Sequence, residues 1–247
     1  MLEAVKHMFG KVTGPKGWDS REGYDMWAAE YDNQPENLML RLDEDMLDYL
    51  LQDCSLYHQR TLDIGCGTGR HWQTLISRQP ATLTGIDVSP AMLAKLSAKY
   101  PEAAYFLQRS ESRLPFESGT FDRIVSTLTM AHIRRLGPAL MEWDRVLSAT
   151  GEILITDFHP ILLALGGRRS FTVNGTQQYI RNHIHQVDQI AAFFESHGYT
   201  INALRQSYID EAVRPWYAAR NAMHVYNKYE GIPVIYGLHV KRQHVDQ

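Results

Sequence analysis

The amino-acid sequence predicts an α/β fold whose core is a parallel, doubly wound sheet. From Arg60 to about residue 156, short apolar runs alternate with helical patterns. Strands that alternate with helices at this spacing form parallel sheets. The chain has 247 residues, of which 44% are hydrophobic and 11% aromatic. This content is enough to bury both faces of such a sheet.

Five apolar runs are predicted to be strands of the sheet. Each is short and bounded by turn residues or helical patterns, as buried parallel strands are. The predicted strands are residues 61–64, 82–87, 104–107, 121–126 and 151–156. Helices are expected from about Gly69, from Pro90 to about Lys99, and over about residues 138–147. Ser89 before Pro90 predicts the start of the second helix, because serine is a good N-cap and proline suits the first helical position.

Three regions lie outside these alternating elements. Residues 1–57 are predicted to form an N-terminal helical cap, with helices near 24–31 and 42–51, and residues 58–247 to form the core. Two stretches of the core, at about 160–185 and 208–230, are polar or rich in tyrosine and arginine. We expect them to form a lid over the carboxyl edge of the sheet, where open α/β sheets bind ligands.

Charge and cysteine content exclude several classes of protein. The formal net charge is -3 and basic residues form no tract, so nothing favours nucleic acid or an anionic membrane surface as a partner. The two cysteines, Cys54 and Cys66, have no metal-ligand spacing and make no disulfide framework. No apolar run approaches the ~20 residues of a membrane span, and no signal peptide is recognisable. A cytoplasmic protein with no membrane partner is expected.

A glycine-rich turn gives the strongest functional signal. It reads Asp63-Ile64-Gly65-Cys66-Gly67-Thr68-Gly69, directly after a predicted strand and before a predicted helix. Glycines allow a sharp turn and let a ligand approach the backbone closely. Arg70 stands where a dinucleotide-binding fingerprint has its last glycine. This spacing disfavours a nicotinamide-dependent dehydrogenase.

Asp87 ends the second predicted strand, about twenty residues after the glycine turn. A carboxylate at this position can accept hydrogen bonds from both ribose hydroxyls of a nucleoside. Alternatively, Asp87 caps the helix that begins near Pro90. Ser89 already suits that capping role, so we favour the nucleoside interpretation.

With these motifs, residues from about Trp27 to Leu154 resemble the class I methyltransferases that depend on S-adenosylmethionine (SAM). The resemblance is to the type 11 group in particular, which includes the ubiquinone and menaquinone biosynthesis enzymes. It implies a Rossmann-like, seven-stranded sheet with helices on both faces. It also implies an antiparallel strand near Pro233–Val240. The implied cofactor is SAM, and the implied product S-adenosyl-L-homocysteine.

The resemblance also implies which residues contact the cofactor. The glycine turn would hold the methionine part of SAM, Asp87 the ribose, and Val88 would lie beside the adenine. Ser110 stands where the family has an aspartate in its adenine-binding segment. Tyr31, in a segment that resembles the family's entry helix, would lie over the cofactor or pack on the sheet. The predicted cofactor-binding residues are Tyr31, Asp63, Gly65, Cys66, Gly67, Gly69, Asp87, Val88, Ser110, Glu111 and Thr127.

Residues on the acceptor side are expected after the carboxyl ends of the strands. His132 follows the fourth strand and His159 the fifth, so both are candidate catalytic bases. His183 and His185 end the first lid stretch; they either face the acceptor or cap a helix that starts near Gln186. A base is needed only if the acceptor must lose a proton. These histidines have no recognisable metal-binding spacing, so no metal is predicted.

The sequence therefore predicts methyl transfer to oxygen, nitrogen or carbon of a small organic metabolite. Aromatic residues in the predicted lid suit an aromatic or lipophilic acceptor; alternatively, they belong to the core. The alternatives are an RNA or protein methyltransferase and a non-catalytic SAM-binding protein. Enzymes that methylate exocyclic base nitrogens carry Asn/Asp-Pro-Pro-Tyr/Phe where this chain has Ser126-Thr127-Leu128-Thr129, which disfavours nucleic acid. The oligomeric state stays open, a homo-oligomer included.

Overall fold

The computed structural model describes residues 17–34, 36–109 and 113–243. The main sheet contains strands β1 (Arg60–Ile64), β2 (Thr82–Asp87), β3 (Ala104–Leu107), β4 (Phe121–Thr127), β5 (Leu147–Phe158), β8 (Tyr199–Tyr208) and β9 (Pro233–Arg242). A separate hairpin contains β6 (Ser170–Val173) and β7 (Thr176–Tyr179). The helices are α1 (Ser20–Trp27), α2 (Leu38–Leu50), α3 (Trp72–Ser77), α4 (Pro90–Lys99), α5 (Leu136–Val146), α6 (Pro160–Ala164), α7 (Val187–Ser196), α8 (Arg214–Ala218) and α9 (Met223–Tyr229).

The main sheet has the strand order β3-β2-β1-β4-β5-β9-β8. Strands β1 to β5 pair in parallel. β9 is antiparallel to both of its neighbours, β5 and β8. The predicted seven-stranded sheet and its antiparallel strand near residues 233–240 are therefore confirmed. The strand order reverses between β1 and β4, and the crevice beyond their carboxyl ends is where such sheets bind ligands.

Both faces of the sheet are buried against helices. Successive residues of a strand point to opposite faces, and β4 shows this directly. Ile124 belongs to the hydrophobic cluster that includes Trp143 of α5 and Phe194 of α7. Val125 belongs to a second cluster, with Leu47 of α2 and Leu96 of α4. This arrangement confirms helices on both faces.

Caps and glycines explain where the helices begin. α4 covers the predicted residues, because the Ser89 hydroxyl accepts a hydrogen bond from the N–H of Met92 at 3.1 Å. α2 begins four residues before the predicted start, since Asn37 accepts from the N–H of Met39 at 3.0 Å. α3 begins three residues later than expected. Gly69 has a φ of +75°, which is a left-handed conformation that does not continue into a helix.

β8 is the strand of the main sheet that the sequence analysis did not predict. It lies at the edge of the sheet, next to β9 alone, and its residues 199–208 are mostly half-buried or exposed. Its sequence therefore lacks the apolar run that marks a buried strand. An edge strand can keep polar residues because one side faces solvent.

The hairpin β6–β7 and α1 form one unit. An Asn174-Gly175 turn with positive φ at both residues joins the two strands, as expected for a two-residue hairpin loop. The N–H of Trp18 donates to the carbonyl of Tyr179 at 2.8 Å, and the N–H of Arg181 donates to the carbonyl of Trp18 at 2.8 Å. These contacts tie the first predicted lid stretch to the N-terminal region. The lid role and the domain boundary at residue 57 stay predictions.

Within the part of the chain that the structure describes, no helix combines the length and the apolar character needed to span a membrane.

Candidate active site

A cleft opens beyond the carboxyl ends of β1, β2 and β4. Its floor is formed by the loops that follow these strands, from Asp63 to Thr68, at Asp87 and Val88, and from Thr127 to Thr129. Tyr24 and Tyr31 line it from the N-terminal region. The cleft therefore lies at the point where the strand order reverses, which is the expected ligand site.

Asp87 lies at the centre of this floor. One oxygen of its carboxylate accepts the N–H of Gly67, and the other accepts the N–H of Ser89, both at 2.8 Å. Burial raises the pKa of Asp87 to about 6, although these backbone N–H groups oppose the rise. Each carboxylate oxygen can accept two hydrogen bonds. Asp87 thus positions the glycine turn and retains acceptor capacity for hydroxyl groups in the cleft.

The three glycines of the turn have different surroundings. Gly65 and Gly67 line the cleft, with φ of +74° and +54°. A Cβ on Gly67 would have no atom within 4 Å, whereas a Cβ on Gly65 would lie 2.0 Å from Oγ1 of Thr129. Gly69 packs below the turn, against Trp72 and Tyr100. The backbone of Gly67 therefore faces open space, and Gly69 serves the packing of the turn.

Asp63 and Cys66 are buried beside this turn. The Asp63 carboxylate accepts the indole N–H of Trp72 at 2.9 Å, and burial raises its pKa to about 7. Burial also raises the pKa of the Cys66 thiol, with added repulsion from Asp87 and Asp63. The thiol is therefore neutral at pH 7 and is not a reactive thiolate. A Cβ on Gly85 would lie 2.7 Å from Sγ of Cys66, so this small side chain packs tightly between strands.

A buried carboxylate fixes the glycine turn to α2 and β5. Asp43 of α2 is fully buried and forms an ion pair with Arg70. It also contacts Nε2 of His71 at 3.0 Å and accepts the hydroxyl of Thr156. Burial alone would raise the pKa of Asp43, but the Arg70 guanidinium and these hydrogen bonds together hold it well below its usual range.

Asp43→Ala is expected to lower the free energy of unfolding by about 3–5 kcal/mol, because it removes the buried partner of the Arg70 guanidinium, which then keeps the exposed Glu44, at 3.3 Å, as its ion-pair partner. Chemical denaturation monitored by circular dichroism measures the change. Asp45→Ala is the matched control, since Asp45 lies on the same helix and is exposed. Equal effects of the two substitutions would show that the Asp43 ion pair contributes little.

His132 lines the cleft and pairs with Tyr24. Its Nδ1 lies 3.2 Å from the carbonyl oxygen of Arg181, and its Nε2 lies 2.9 Å from the Tyr24 hydroxyl. A carbonyl oxygen can only accept, so Nδ1 carries the proton and Nε2 accepts from Tyr24. Burial lowers the pKa of His132 to about 4. The carboxylate of Asp157, at the end of β5, accepts the N–H of Ala131 at 2.8 Å. This hydrogen bond positions the turn that contains His132.

His159, the other catalytic candidate, lies outside the lining of this cleft. It is the N-cap of α6, and its Nδ1 accepts the N–H of Ile161 at 3.2 Å. The side chain is buried, and burial lowers its pKa. The sequence analysis placed His159 near the acceptor, whereas in the structure its side chain caps α6.

His183 and His185 connect the hairpin region to the turn of His132. The N–H of His183 donates to the carbonyl of Ala131 at 2.6 Å, and Nε2 of His185 contacts the carbonyl of Ile133 at 2.8 Å. The N-cap of α7 is Gln186, whose side chain makes no capping hydrogen bond. The two histidines thus tie the chain between β7 and α7 to the edge of the cleft.

A second, wider cleft is lined by residues that follow α1, by the start of α2 and by strand β6. Its apolar lining is contributed by Trp27, Phe158, Phe171 and Trp216, among others. Arg169 also lines it, and Nη2 of Arg169 donates to the Tyr31 hydroxyl at 3.0 Å. Because Tyr31 lines the first cleft, Arg169 lies where the two clefts approach each other.

Most of the predicted cofactor-binding residues come together in the first cleft. Those in its lining are Tyr31, Asp63, Gly65, Cys66, Gly67, Asp87, Val88 and Thr127. Gly69 lies just below it, and Ser110 and Glu111 lie outside the described residues. The sequence analysis missed Tyr24 as a site residue. Its spacing of seven from Tyr31 was the available signal, because residues seven apart share a helix face.

Within the described residues, one group of metal-ligating residue types lies together: Cys54, Glu152 and His239. Glu152 is paired with His239 at 2.7 Å and with Arg123 at 3.2 Å. The neighbouring guanidinium already neutralises this carboxylate and would repel a metal cation. The group is a buried ion-pair network at the middle of β5, outside the lining of the cleft.

Comparison with known proteins identifies the segment that forms the cleft floor. Residues 62–155 match the family described as "Methyltransferase domain". The chain carries a methyltransferase domain. The predicted family is therefore confirmed over these residues, which make up less than half of the chain. The matched residues include the glycine turn, Asp87 and β4, which are the elements that form the first cleft.

Relatives of the methyltransferase domain are named for different substrates. A demethylmenaquinone methyltransferase of Tropheryma whipplei is 26% identical over 163 residues, which are 64% of this chain and 60% of that protein. An 18S rRNA (guanine(1575)-N(7))-methyltransferase of Saccharomyces cerevisiae is 37% identical over 76 residues, 31% of this chain and 26% of that protein. The chain thus spans less than two thirds of the length of either relative.

A solved structure shows the same fold. An S-adenosylmethionine-dependent methyltransferase from Mesorhizobium loti aligns with a TM-score of 0.62 at 18% identity, over 79% of this chain and 95% of that one. The structural similarity therefore extends beyond residues 62–155.

Proposed function

We propose that this protein transfers a methyl group from SAM to a small organic acceptor. The observation that carries the proposal is the position of Asp87. Its carboxylate lies at the end of β2, beside a glycine turn whose Gly67 faces open space. A nucleoside with two ribose hydroxyls and a flexible amino-acid tail fits this combination of an acceptor and an open backbone turn.

Different residues of the cleft would contact different parts of the cofactor. Asp87 would accept the ribose hydroxyls, and Val88 and Gln108 line the same side of the cleft for the base. Gly65 and Gly67 would contact the amino-acid tail. When bound, SAM supplies a methyl group on a sulfonium; the acceptor's lone pair forms the new bond as the carbon–sulfur bond breaks, leaving S-adenosylhomocysteine. The protein contributes mainly alignment of the reacting atoms.

If the methyl acceptor must lose a proton, we propose that the Tyr24–His132 pair takes it. His132 is neutral at pH 7, because burial lowers its pKa to about 4. Its Nε2 can take the proton of the Tyr24 hydroxyl, and the Tyr24 oxygen can take a proton from the acceptor. Burial raises the pKa of Tyr24, which keeps this hydroxyl protonated until the transfer takes place.

The second cleft supports a small acceptor with an apolar part. Its aromatic residues, Trp27, Phe158, Phe171 and Trp216, offer apolar contact surface. RNA or protein acceptors are the alternative, because one relative is named as an rRNA methyltransferase. The net charge of -3 and the absence of a basic tract in the sequence disfavour a polyanion.

Incubation with methyl-labelled SAM and fractionated metabolite extract tests the proposal. Mass spectrometry is expected to detect a labelled small molecule and an equal amount of S-adenosylhomocysteine. His132→Ala separates the roles of the residues, since it should slow product formation while SAM still binds. Label appearing in RNA or protein, and in no small molecule, would contradict the small-acceptor proposal.

SAM affinity is expected to fall as the pH drops below about 6. The pKa of Asp87 is raised to about 6 by burial, so the carboxylate becomes neutral at a pH where an exposed aspartate is still charged. If only the charged form binds the ribose well, the dissociation constant rises about tenfold at pH 5. Calorimetric titrations at pH 5, 6 and 8 measure this change. Asp87→Asn should flatten the profile, and a wild-type affinity independent of pH would contradict the assignment.

A further inference from the structure

Arg169 is a buried cation between the two clefts. Only 3% of its surface is exposed. Its guanidinium lies over the rings of Trp27, Tyr31 and Phe158, at 5.3, 5.8 and 5.6 Å from the ring centroids. These contacts with the π faces stabilise a positive charge in a site that excludes water. Burial alone would lower the pKa of Arg169, but electrostatic interactions with Tyr31 and Tyr24 outweigh burial and raise it. The side chain is therefore charged.

Within the described residues, Arg169 forms no ion pair with a carboxylate, and its Nε–H is buried without a hydrogen-bond acceptor. Other poorly exposed arginines of this protein have such a partner. Arg70 pairs with Asp43, and Arg220, in the same cleft as Arg169, pairs with Glu36. Burial of an unpaired charge and of an unsatisfied donor is costly. Such a cost is common at sites that are completed by a ligand.

We propose that Arg169 binds a carboxylate group of the methyl acceptor in the second cleft. This inference rests on the proposed function and specifies its substrate class: small organic acids with an apolar or aromatic part. A guanidinium presents a planar set of N–H donors that matches a carboxylate. Arg169 has a free donor for this purpose, while the aromatic side chains of the cleft contact the rest of the acceptor.

Arg169 connects the linings of the two clefts. Its Nη2 donates to the hydroxyl of Tyr31, which lines the first cleft, and its own side chain lines the second. An acid held at Arg169 therefore lies next to the site proposed for SAM. The charge fixes the orientation of the acceptor, which is the kind of positioning that methyl transfer requires.

A matched pair of probes tests the carboxylate preference. 3-Phenylpropanoate and its neutral amide, 3-phenylpropanamide, are titrated into the protein alone and monitored by calorimetry. We expect the acid to bind at least tenfold more tightly than the amide. Arg169→Met should abolish this preference, and Arg169→Lys, which keeps the charge without the planar donors, should retain part of it. Arg205→Met is the control, because Arg205 contacts Tyr49 and lines neither cleft.

SAM titrations of the same variants separate the possible results. We expect the SAM dissociation constant of Arg169→Met to stay within about twofold of the wild-type value. A large loss of SAM affinity would overturn the proposal and assign Arg169 to the cofactor. Equal binding of acid and amide, binding of neither, or an acid preference that survives in both Arg169 variants would also overturn it. Absence of SAM binding to the wild type contradicts the proposed function instead, and the probe comparison does not depend on that result.

Discussion

Asp87→Ala is expected to raise the dissociation constant for SAM at least about 100-fold. The substitution removes the acceptor for two ribose hydroxyls, and hydrogen bonds to a charged group contribute about 1.5–3 kcal/mol each. Because about 1.4 kcal/mol corresponds to a tenfold change in affinity, two such bonds account for the expected loss. It also removes the carboxylate that accepts the N–H groups of Gly67 and Ser89, so the glycine turn loses part of its support. Calorimetric titration with SAM measures the effect.

Asp122→Ala is the matched control for this substitution. Asp122 is paired with Arg60 at 2.8 Å, and it lies at the beginning of β4, the end of the strand away from the cleft. Its removal should leave the SAM dissociation constant within about twofold of the wild-type value. If Asp87→Ala behaved in the same way, the carboxylate of Asp87 would have no part in cofactor binding.

Gly65→Ala is expected to lower the free energy of unfolding by about 3 kcal/mol and to abolish measurable SAM binding. Gly65 has a φ of +74°, a conformation that costs a non-glycine residue about 1–2 kcal/mol. The new Cβ would lie 2.0 Å from Oγ1 of Thr129, and such overpacking costs a further ~1–3 kcal/mol. Thr129 lines the cleft, so its displacement changes the shape of the cofactor site. Thermal unfolding and calorimetry measure the two effects.

Gly119→Ala measures the cost of backbone strain without the cost of a steric clash. Gly119 has a φ of +70°, similar to that of Gly65, but a Cβ there would have no atom within 4 Å. It should therefore cost only about 1–2 kcal/mol, the strain of the backbone conformation, and leave SAM binding intact. Equal destabilisation by the two alanines would mean that contact with Thr129 contributes nothing at Gly65.

The parallel core and the grouping of the glycine turn with Asp87 could be predicted because their signals are local in the sequence. β1, β2 and β4 are apolar runs, and the glycine turn and Asp87 follow β1 and β2 directly. The carboxyl ends of parallel strands meet at one edge of a sheet, so residues that follow the strands must come together there. This topological rule brings Asp87 to within 2.8 Å of the N–H of Gly67.

The second cleft could not be predicted in the same way, because it depends on contacts between distant segments. Arg169 meets Tyr31 across 138 positions in the chain, and no local pattern indicates that pairing. His159 was predicted from its place after β5, but its neighbour Pro160 also suits the first position of a helix. The capping role seen in the structure was therefore indicated in the sequence as well. β8 was missed because an edge strand does not need an apolar run.

A crystal structure of the protein with S-adenosylhomocysteine tests the central claim most directly. The account predicts the two ribose hydroxyls within hydrogen-bond distance of the Asp87 carboxylate, and the homocysteine tail against Gly65 and Gly67. A nucleoside bound elsewhere, or an Asp87 carboxylate that makes no contact with it, would contradict the proposed cofactor site.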